Sequence, residues 1–201
     1  MTKHKQDNRM ALKSNSAAWD DQTPRDPLEY AVSVRDRDVL TMVRTALATD
    51  NCQLAMQPVC TAKPGYPMAF YECLIRVMDE TGRVIPAAQF MGEIEETSLG
   101  RDIDAASLRL AFRLLKQHQN IRLSVNVSAR SLGDAAWRRV LDSELASSAL
   151  HADRLILEIS EDSAMQLPEV VIRFMEEMQP HGLAFALDDF GAGMTAFRHL
   201  R

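Results

Sequence analysis

The sequence predicts an α/β fold in which a largely parallel sheet is covered by helices. Short apolar segments alternate with longer segments of helical periodicity over residues 53–190. Strands that are separated by a helix cannot pair as a hairpin, so most neighbouring strands should run parallel. With 201 residues, of which 46% are hydrophobic, the chain is long enough to bury the core of such a domain.

The first part of the chain differs in composition from the rest. Residues 1–27 are polar and charged without a sustained period, which predicts a flexible leader. In residues 28–50, Val39, Val43 and Ala46 follow one another at four- and three-residue steps, and this spacing predicts an amphipathic helix that leads into the domain. The domain itself is predicted over residues 51–201.

The helices and strands of the domain are predicted from the spacing of apolar residues and from helix-capping residues. Asp134 is placed to cap one helix, and Pro168 and Gly182 bound another. Five strands are predicted, over residues 53–60, 68–77, 122–128, 154–160 and 183–190. Helices are predicted over residues 87–96, 102–119, 134–147 and 168–182.

Charge and cysteine content exclude several classes of protein. A formal net charge of −5 argues against DNA or RNA binding, which needs a basic surface. No apolar run reaches the roughly 18 residues of a membrane span, and no signal-peptide core follows the basic N-terminus. The three cysteines form no CxxC pair, so the sequence predicts neither a disulfide framework nor a zinc site. A cytoplasmic location is expected.

Polar side chains lie at or near the ends of four predicted strands. In parallel α/β folds the carboxyl ends of the strands meet at one rim, where the loops build the active site. Carboxylates that meet there repel one another unless they share a cation or a proton. Their hard oxygen atoms suit Mg, Mn or Ca. The sequence therefore predicts a divalent-metal site formed by Glu72, Asn126, Glu158, Asp188 and Asp189.

A second interpretation of these residues is open. Each of them taken alone is more often the cap of a strand end or the partner in a salt bridge. Arg76 follows Glu72 by four residues and so shares its strand face. There it either holds an anionic substrate or forms an ordinary ion pair at the rim.

Five motifs occur in one order along the chain: Met56-Gln-Pro-Val59, Glu72-Cys-Leu-Ile-Arg76, Ser124-Val-Asn-Val-Ser-Ala-Arg130, Leu157-Glu-Ile-Ser-Glu161 and Leu187-Asp-Asp-Phe-Gly-Ala-Gly193. This succession resembles the EAL family of cyclic di-GMP phosphodiesterases from about residue 53 onward. Several separated motifs in order are far more specific than one short pattern. The signature triplet is the variant Glu72-Cys73-Leu74, with a small, readily buried cysteine in place of the usual alanine.

The resemblance implies a (β/α)8 barrel whose rim binds two divalent ions, Mg or Mn, together with cyclic di-GMP. It implies metal ligation by Glu72, Asn126, Glu158 and Asp188, with Asp189 reaching the second ion. Gln57 and Arg76 match positions that contact the ligand in the family. The implied reaction is hydrolysis of cyclic di-GMP to linear pGpG.

The sequence also departs from the family pattern. Ala192 and Met194 replace a usual threonine and a usual aromatic residue in the loop after Asp188 and Asp189. The chain ends at Arg201, before the family's catalytic lysine, so no complete set of catalytic residues is expected. About five of eight barrel strands are predicted, which is an incomplete barrel. Either the chain is a truncated reading frame or a fragment, or a partner chain or a second copy completes the barrel by strand exchange.

Three functions remain open at this point. The first is a metal-dependent phosphodiesterase for cyclic di-GMP, once the missing part of the barrel is supplied. The second is a catalytically inactive module that binds cyclic di-GMP or a protein partner. The third is an inactive remnant, which the count of five strands favours.

Overall fold

The computed structural model describes residues 27–147 and 149–191. The leader is predicted over residues 1–27, and all of it except Pro27 lies outside this range, as do Ala192 and Met194 in the loop after the last described strand. The helices are α1 (Pro27–Ala48), α2 (Met91–Ile94), α3 (Ser98–Gln117), α4 (Ala129–Leu132), α5 (Ala135–Ser147), α6 (Glu161–Gln166) and α7 (Pro168–Met178). The strands are β1 (Cys52–Cys60), β2 (Met68–Met78), β3 (Val84–Pro86), β4 (Leu123–Asn126), β5 (Leu155–Ser160) and β6 (Ala184–Asp188).

The strands form one mixed sheet in the order β1-β2-β4-β5-β6, with β3 paired to β2 outside this path. All three pairs from β2 to β6 are parallel, as predicted. The sheet is therefore largely parallel, and the exception along this path is the first pair, in which β1 runs antiparallel to β2. Residues 61–67 are too few for a helical crossover, which takes about a dozen residues or more. The short strand β3 was not predicted.

The two faces of the sheet differ in burial. On one face Cys73, Val125 and Leu157 are each at most 2% exposed and belong to a core packed beneath the helices. That core also takes in Leu108 and Phe112 of α3. The opposite face is partly open, since Glu72 is only partly buried and Asn126 is exposed. One face of the sheet is therefore apolar and buried, and the other carries the polar side chains together with the buried Ile156.

The amphipathic helix predicted over residues 28–50 is α1. Val43 and Ala46 are at most 1% exposed and pack with Ile75 and Val77 of β2. The chain divides into two units at Arg35, and these contacts lie within the second unit, Asp36–Arg201. The helical period of the sequence therefore marks the face of α1 that is buried.

The predicted capping residues lie at helix boundaries in the structure. The Asp134 carboxylate accepts hydrogen bonds from the N–H groups of Ala136 (2.8 Å) and Trp137 (3.0 Å) at the start of α5. Pro168 opens α7, which ends at Met178, before the predicted end at residue 182. A 3-10 turn (Gln179–His181) follows, and Gly182 closes it with a φ of +90°, a conformation that favours glycine.

Two other helices also differ from the predictions in extent. The helix predicted over residues 87–96 is a 3-10 turn (Ala87–Gln89) followed by the single turn of α2. The helix predicted over residues 102–119 begins earlier, because Thr97 accepts a hydrogen bond from Leu99 N–H and caps α3. Among the described residues, no helix is long and apolar enough to cross a membrane.

Candidate functional site

The register of the sheet places four of the predicted metal ligands on the same face. Asn126 lies level with Glu158 on the neighbouring strand. Glu72 is level with Ser124, two residues before Asn126. Asp188 lies two residues beyond Ala186, the partner of Glu158. Because side chains alternate with a period of two, these even offsets keep Glu72, Asn126, Glu158 and Asp188 on one face.

Glu158 is the most enclosed carboxylate of this group, with 9% of the residue exposed. Its pKa is raised, mainly because burial disfavours the charged form, and the carboxylates of Glu72 and Asp188 raise it further. The neighbouring Ser124 hydroxyl opposes the shift. Glu158 is therefore held where an added cation would relieve the cost of its negative charge.

The donor set suits a divalent cation in its chemistry. Glu72, Asn126, Glu158 and Asp188 offer only oxygen atoms, which Mg and Mn prefer. Over residues 27–147 and 149–191, however, no three acidic, histidine or cysteine side chains converge closely enough to hold an ion as they stand. The residues thus fit a metal in type and register, while the three carboxylates among them do not yet converge on one point.

Asp189 lies on the turn that follows β6, outside the shared face of the sheet. It is exposed and has a φ of +54°, an uncommon conformation for a residue other than glycine. The structure therefore sets Asp189 apart from the four residues that share the face.

The two predicted ligand contacts are placed differently. Gln57 lies directly opposite Glu72 in the antiparallel pair, so the structure brings these residues together. Arg76 occupies the same face, but its guanidinium turns back on its own strand. It donates hydrogen bonds to the carbonyls of Leu74 (3.3 Å) and Ile75 (3.0 Å).

A cavity of about 320 Å³ opens beside this face. Asn126 and Glu158 line it, together with Asp104 of α3, Arg130 of α4 and Ser163 of α6. The cavity therefore connects the predicted ligands with residues from the surrounding helices. Asp104 and Ser163 were not predicted, although Asp104 is an acidic residue on a mostly apolar helix face, which is a usable signal.

Glu161 anchors the turn after β6. This buried carboxylate is 3% exposed and accepts a hydrogen bond of 2.7 Å from the N–H of Gly191. Gly191 follows Asp188 and Asp189 closely in the chain. Glu161 thus ties the end of β5 to the turn that carries the two aspartates.

Comparison with known proteins gives consistent results for sequence and structure. The family model described as the EAL domain matches residues 41–201. The cyclic di-GMP phosphodiesterase NbdA of Pseudomonas aeruginosa is 29% identical over 164 residues, which are 79% of this chain and 21% of that protein. The cyclic di-GMP phosphodiesterase PdeB of Shewanella oneidensis is 28% identical over 165 residues, 79% of this chain and 19% of its own. The chain spans about a fifth of the length of these two relatives.

Solved EAL structures share the fold. The FimX EAL domain from Pseudomonas aeruginosa, solved bound to c-di-GMP, is 26% identical with a TM-score of 0.67, and 78% of this chain matches 64% of that one. The PaMucR phosphodiesterase in its c-di-GMP complex is 28% identical with a TM-score of 0.67, and 79% of this chain matches 66% of that one. The described sheet therefore corresponds to part of a TIM-type barrel. The chain belongs to the EAL domain family.

Proposed function

We propose that this chain is a cyclic di-GMP signalling domain that takes part in metal-dependent hydrolysis of the dinucleotide to pGpG. The observation that supports it is the shared sheet face of Glu72, Asn126, Glu158 and Asp188. Relatives named as cyclic di-GMP phosphodiesterases and solved complexes with c-di-GMP point to the same ligand.

Each residue has an assigned part in this proposal. Glu72, Asn126, Glu158 and Asp188 would hold a divalent ion, Mg or Mn, and Asp189 would reach a second. Two such ions, when bound, supply an activated water and neutralise charge that develops at phosphorus. Gln57, opposite Glu72, would contact the dinucleotide from β1.

The remaining contact requires a rearrangement. Arg76 now donates to carbonyls of its own strand, so it would exchange these bonds for a phosphate oxygen, which a guanidinium binds well. The pKa of Glu158 is raised by burial and by the carboxylates of Glu72 and Asp188, so a bound cation would stabilise its charged form.

A second candidate function is nucleotide binding without turnover. The carboxylates of Glu72, Glu158 and Asp188 do not converge on one point within the part of the chain that the structure describes. A module of this kind would signal by being occupied by cyclic di-GMP or by a protein partner.

One experiment separates the two candidates. Conversion of cyclic di-GMP to pGpG is measured for the purified chain in Mn or Mg, beside equilibrium binding of the dinucleotide. Glu72→Ala is the test variant, and Glu176→Ala, an exposed glutamate on α7, is the matched control. Product that is lost only in Glu72→Ala supports hydrolysis. Binding without product supports the second candidate. A folded chain that neither binds nor converts the dinucleotide overturns both hydrolysis and nucleotide binding, and leaves only a protein partner as what such a module would bind.

A homodimer or a completing partner chain is also part of the proposal. Among the described residues β6 pairs only with β5, and a free strand edge is a template for pairing with another chain. Light scattering after gel filtration tests this. A dimer at all accessible concentrations supports completion by a second copy, and a folded monomer with full activity contradicts it.

A further inference from the structure

The turn that follows Asn126 is fastened to three other elements. This rim turn, residues 127–129, connects β4 to α4 and has three consecutive backbone N–H groups. Each of them donates to a different element: Val127 to the Glu158 carbonyl of β5 (2.9 Å), Ser128 to the Asp104 carboxylate of α3 (3.0 Å), and Ala129 to the Ser163 hydroxyl of α6 (2.8 Å).

One carboxylate oxygen of Asp104 accepts two hydrogen bonds. Its Oδ2 also accepts a hydrogen bond of 2.6 Å from the Ser131 hydroxyl in α4. Asp104 is 7% exposed, so water competes little for these bonds. A buried acceptor of this kind fixes the rim turn and the short helix after it relative to α3.

Ser163 is itself held in place on the other side of the rim turn. Its N–H donates to the Ser160 hydroxyl, which caps α6. Ser160 ends β5, two residues beyond Glu158. The hydroxyl that receives Ala129 N–H is therefore tied to the strand that carries Glu158.

We infer that Asp104 and Ser163 are positioning residues that hold the rim turn, and thereby keep Asn126 level with Glu158. The inference rests on the proposed function for its consequence, which is that loosening the rim turn weakens metal binding at the shared face. Groups that orient metal ligands from behind commonly change metal affinity by about 10- to 100-fold when they are removed. Neither residue needs to touch the ion for this effect.

The test uses the full chain and two pairs of variants. Ser163→Ala and Asp104→Ala each remove one fastening of the rim turn. Ser163→Thr and Asp104→Asn keep an acceptor for the same N–H group. Asp134→Ala is the matched control, because Asp134 caps α5 with the same kind of bond and its side chain accepts none from the rim turn.

Two measurements are made on every variant. Amide hydrogen exchange, followed by mass spectrometry without metal, reports the rim turn directly. Mn²⁺ titration by calorimetry reports the consequence. We expect both alanine variants to raise exchange at residues 127–129 and to weaken Mn²⁺ binding about tenfold, while the conservative variants and Asp134→Ala stay within about twofold of the wild type.

The outcomes separate the inference from the function on which it rests. If amide exchange at residues 127–129 is unchanged in both alanine variants, Asp104 and Ser163 do not hold the rim turn. If exchange is faster but Mn²⁺ affinity is unchanged, the rim turn does not position Asn126 for metal binding. A wild-type chain that binds no Mn²⁺ refutes the metal site of the proposed function, and the exchange data then decide on their own whether Asp104 and Ser163 hold the rim turn.

Discussion

Asp104 gives the structure a pH-dependent stability whose sign and size follow from its surroundings. Burial raises the pKa of its carboxyl from 3.8 to about 6, and the hydrogen bonds from Ser128 and Ser131 only partly oppose the shift. The protonated form is thus favoured in the folded state. Its contribution to stability is fully present below pH 3.8 and is lost as the pH rises through about 6.

The magnitude follows from the size of the shift. A difference of about two pKa units corresponds to roughly 3 kcal/mol at about 1.4 kcal/mol per unit, which is an upper value for the cost of the charge at pH 7.5. Asp104→Asn removes the charge and keeps an oxygen that accepts Ser128 N–H. We expect this variant to have a free energy of unfolding about 1–3 kcal/mol above the wild type at pH 7.5, and a difference close to zero at pH 4.

Urea unfolding of both proteins at pH 4, 5, 6 and 7.5 measures this difference directly. Asp102→Asn is the matched control, since Asp102 is exposed on the same helix, and its effect should stay within about 0.5 kcal/mol. If the difference in the free energy of unfolding between the wild type and Asp104→Asn is constant from pH 4 to pH 7.5, the reasoning is refuted. Such a result would mean that the charge on Asp104 is as well solvated in the folded chain as in the unfolded one.

Three further predictions concern other parts of the fold. Glu161→Ala leaves the Gly191 N–H without its acceptor, so exchange at Gly191 should accelerate and the free energy of unfolding should fall by about 1–2 kcal/mol. Burial and nearby carboxylates raise the pKa of the Cys73 thiol to about 12, so iodoacetamide at pH 8 should alkylate the exposed Cys60 and spare Cys73 until urea unfolds the chain. Asp134→Ala removes the cap of α5 and should cost about 1 kcal/mol in urea unfolding, and an unchanged midpoint would contradict the capping role.

Local chemistry made most of the elements predictable. Val43 and Ala46 lie on the buried face of α1 because a helix that leads into a domain must present its apolar residues to the core. Asp134 and Pro168 mark helix starts through backbone geometry that needs no tertiary contact. The antiparallel pairing of β1 was missed although residues 61–67 contain a signal, since that connection is too short to hold a crossover helix.

The sequence predicted which residues form the candidate site better than it predicted the contacts that hold them in place. Alternation along strands is enough to group Glu72 with Arg76, and parallel register brings Asn126 level with Glu158. The hydrogen bond from Ser128 N–H to Asp104 joins residues that are 24 positions apart in the sequence. Such partners depend on how α3 packs on the sheet, which single-sequence periodicity does not specify.

The alternation of the parallel strands is itself an argument for a ligand. A parallel sheet that is covered on both faces reads as apolar on both, whereas β5 carries Glu158 between the buried Leu157 and Ile159. Burying that carboxylate, with Glu72 and Asp188 nearby, lowers the stability of the folded domain where the carboxylate is charged. A ligand that binds the folded state offsets this cost by about 2.7 kcal/mol at 100 times its Kd, so Mn²⁺ should raise the melting temperature of the wild type and leave that of Glu158→Ala unchanged. Equal melting of the wild type with and without Mn²⁺ would mean that the polar face serves no cation.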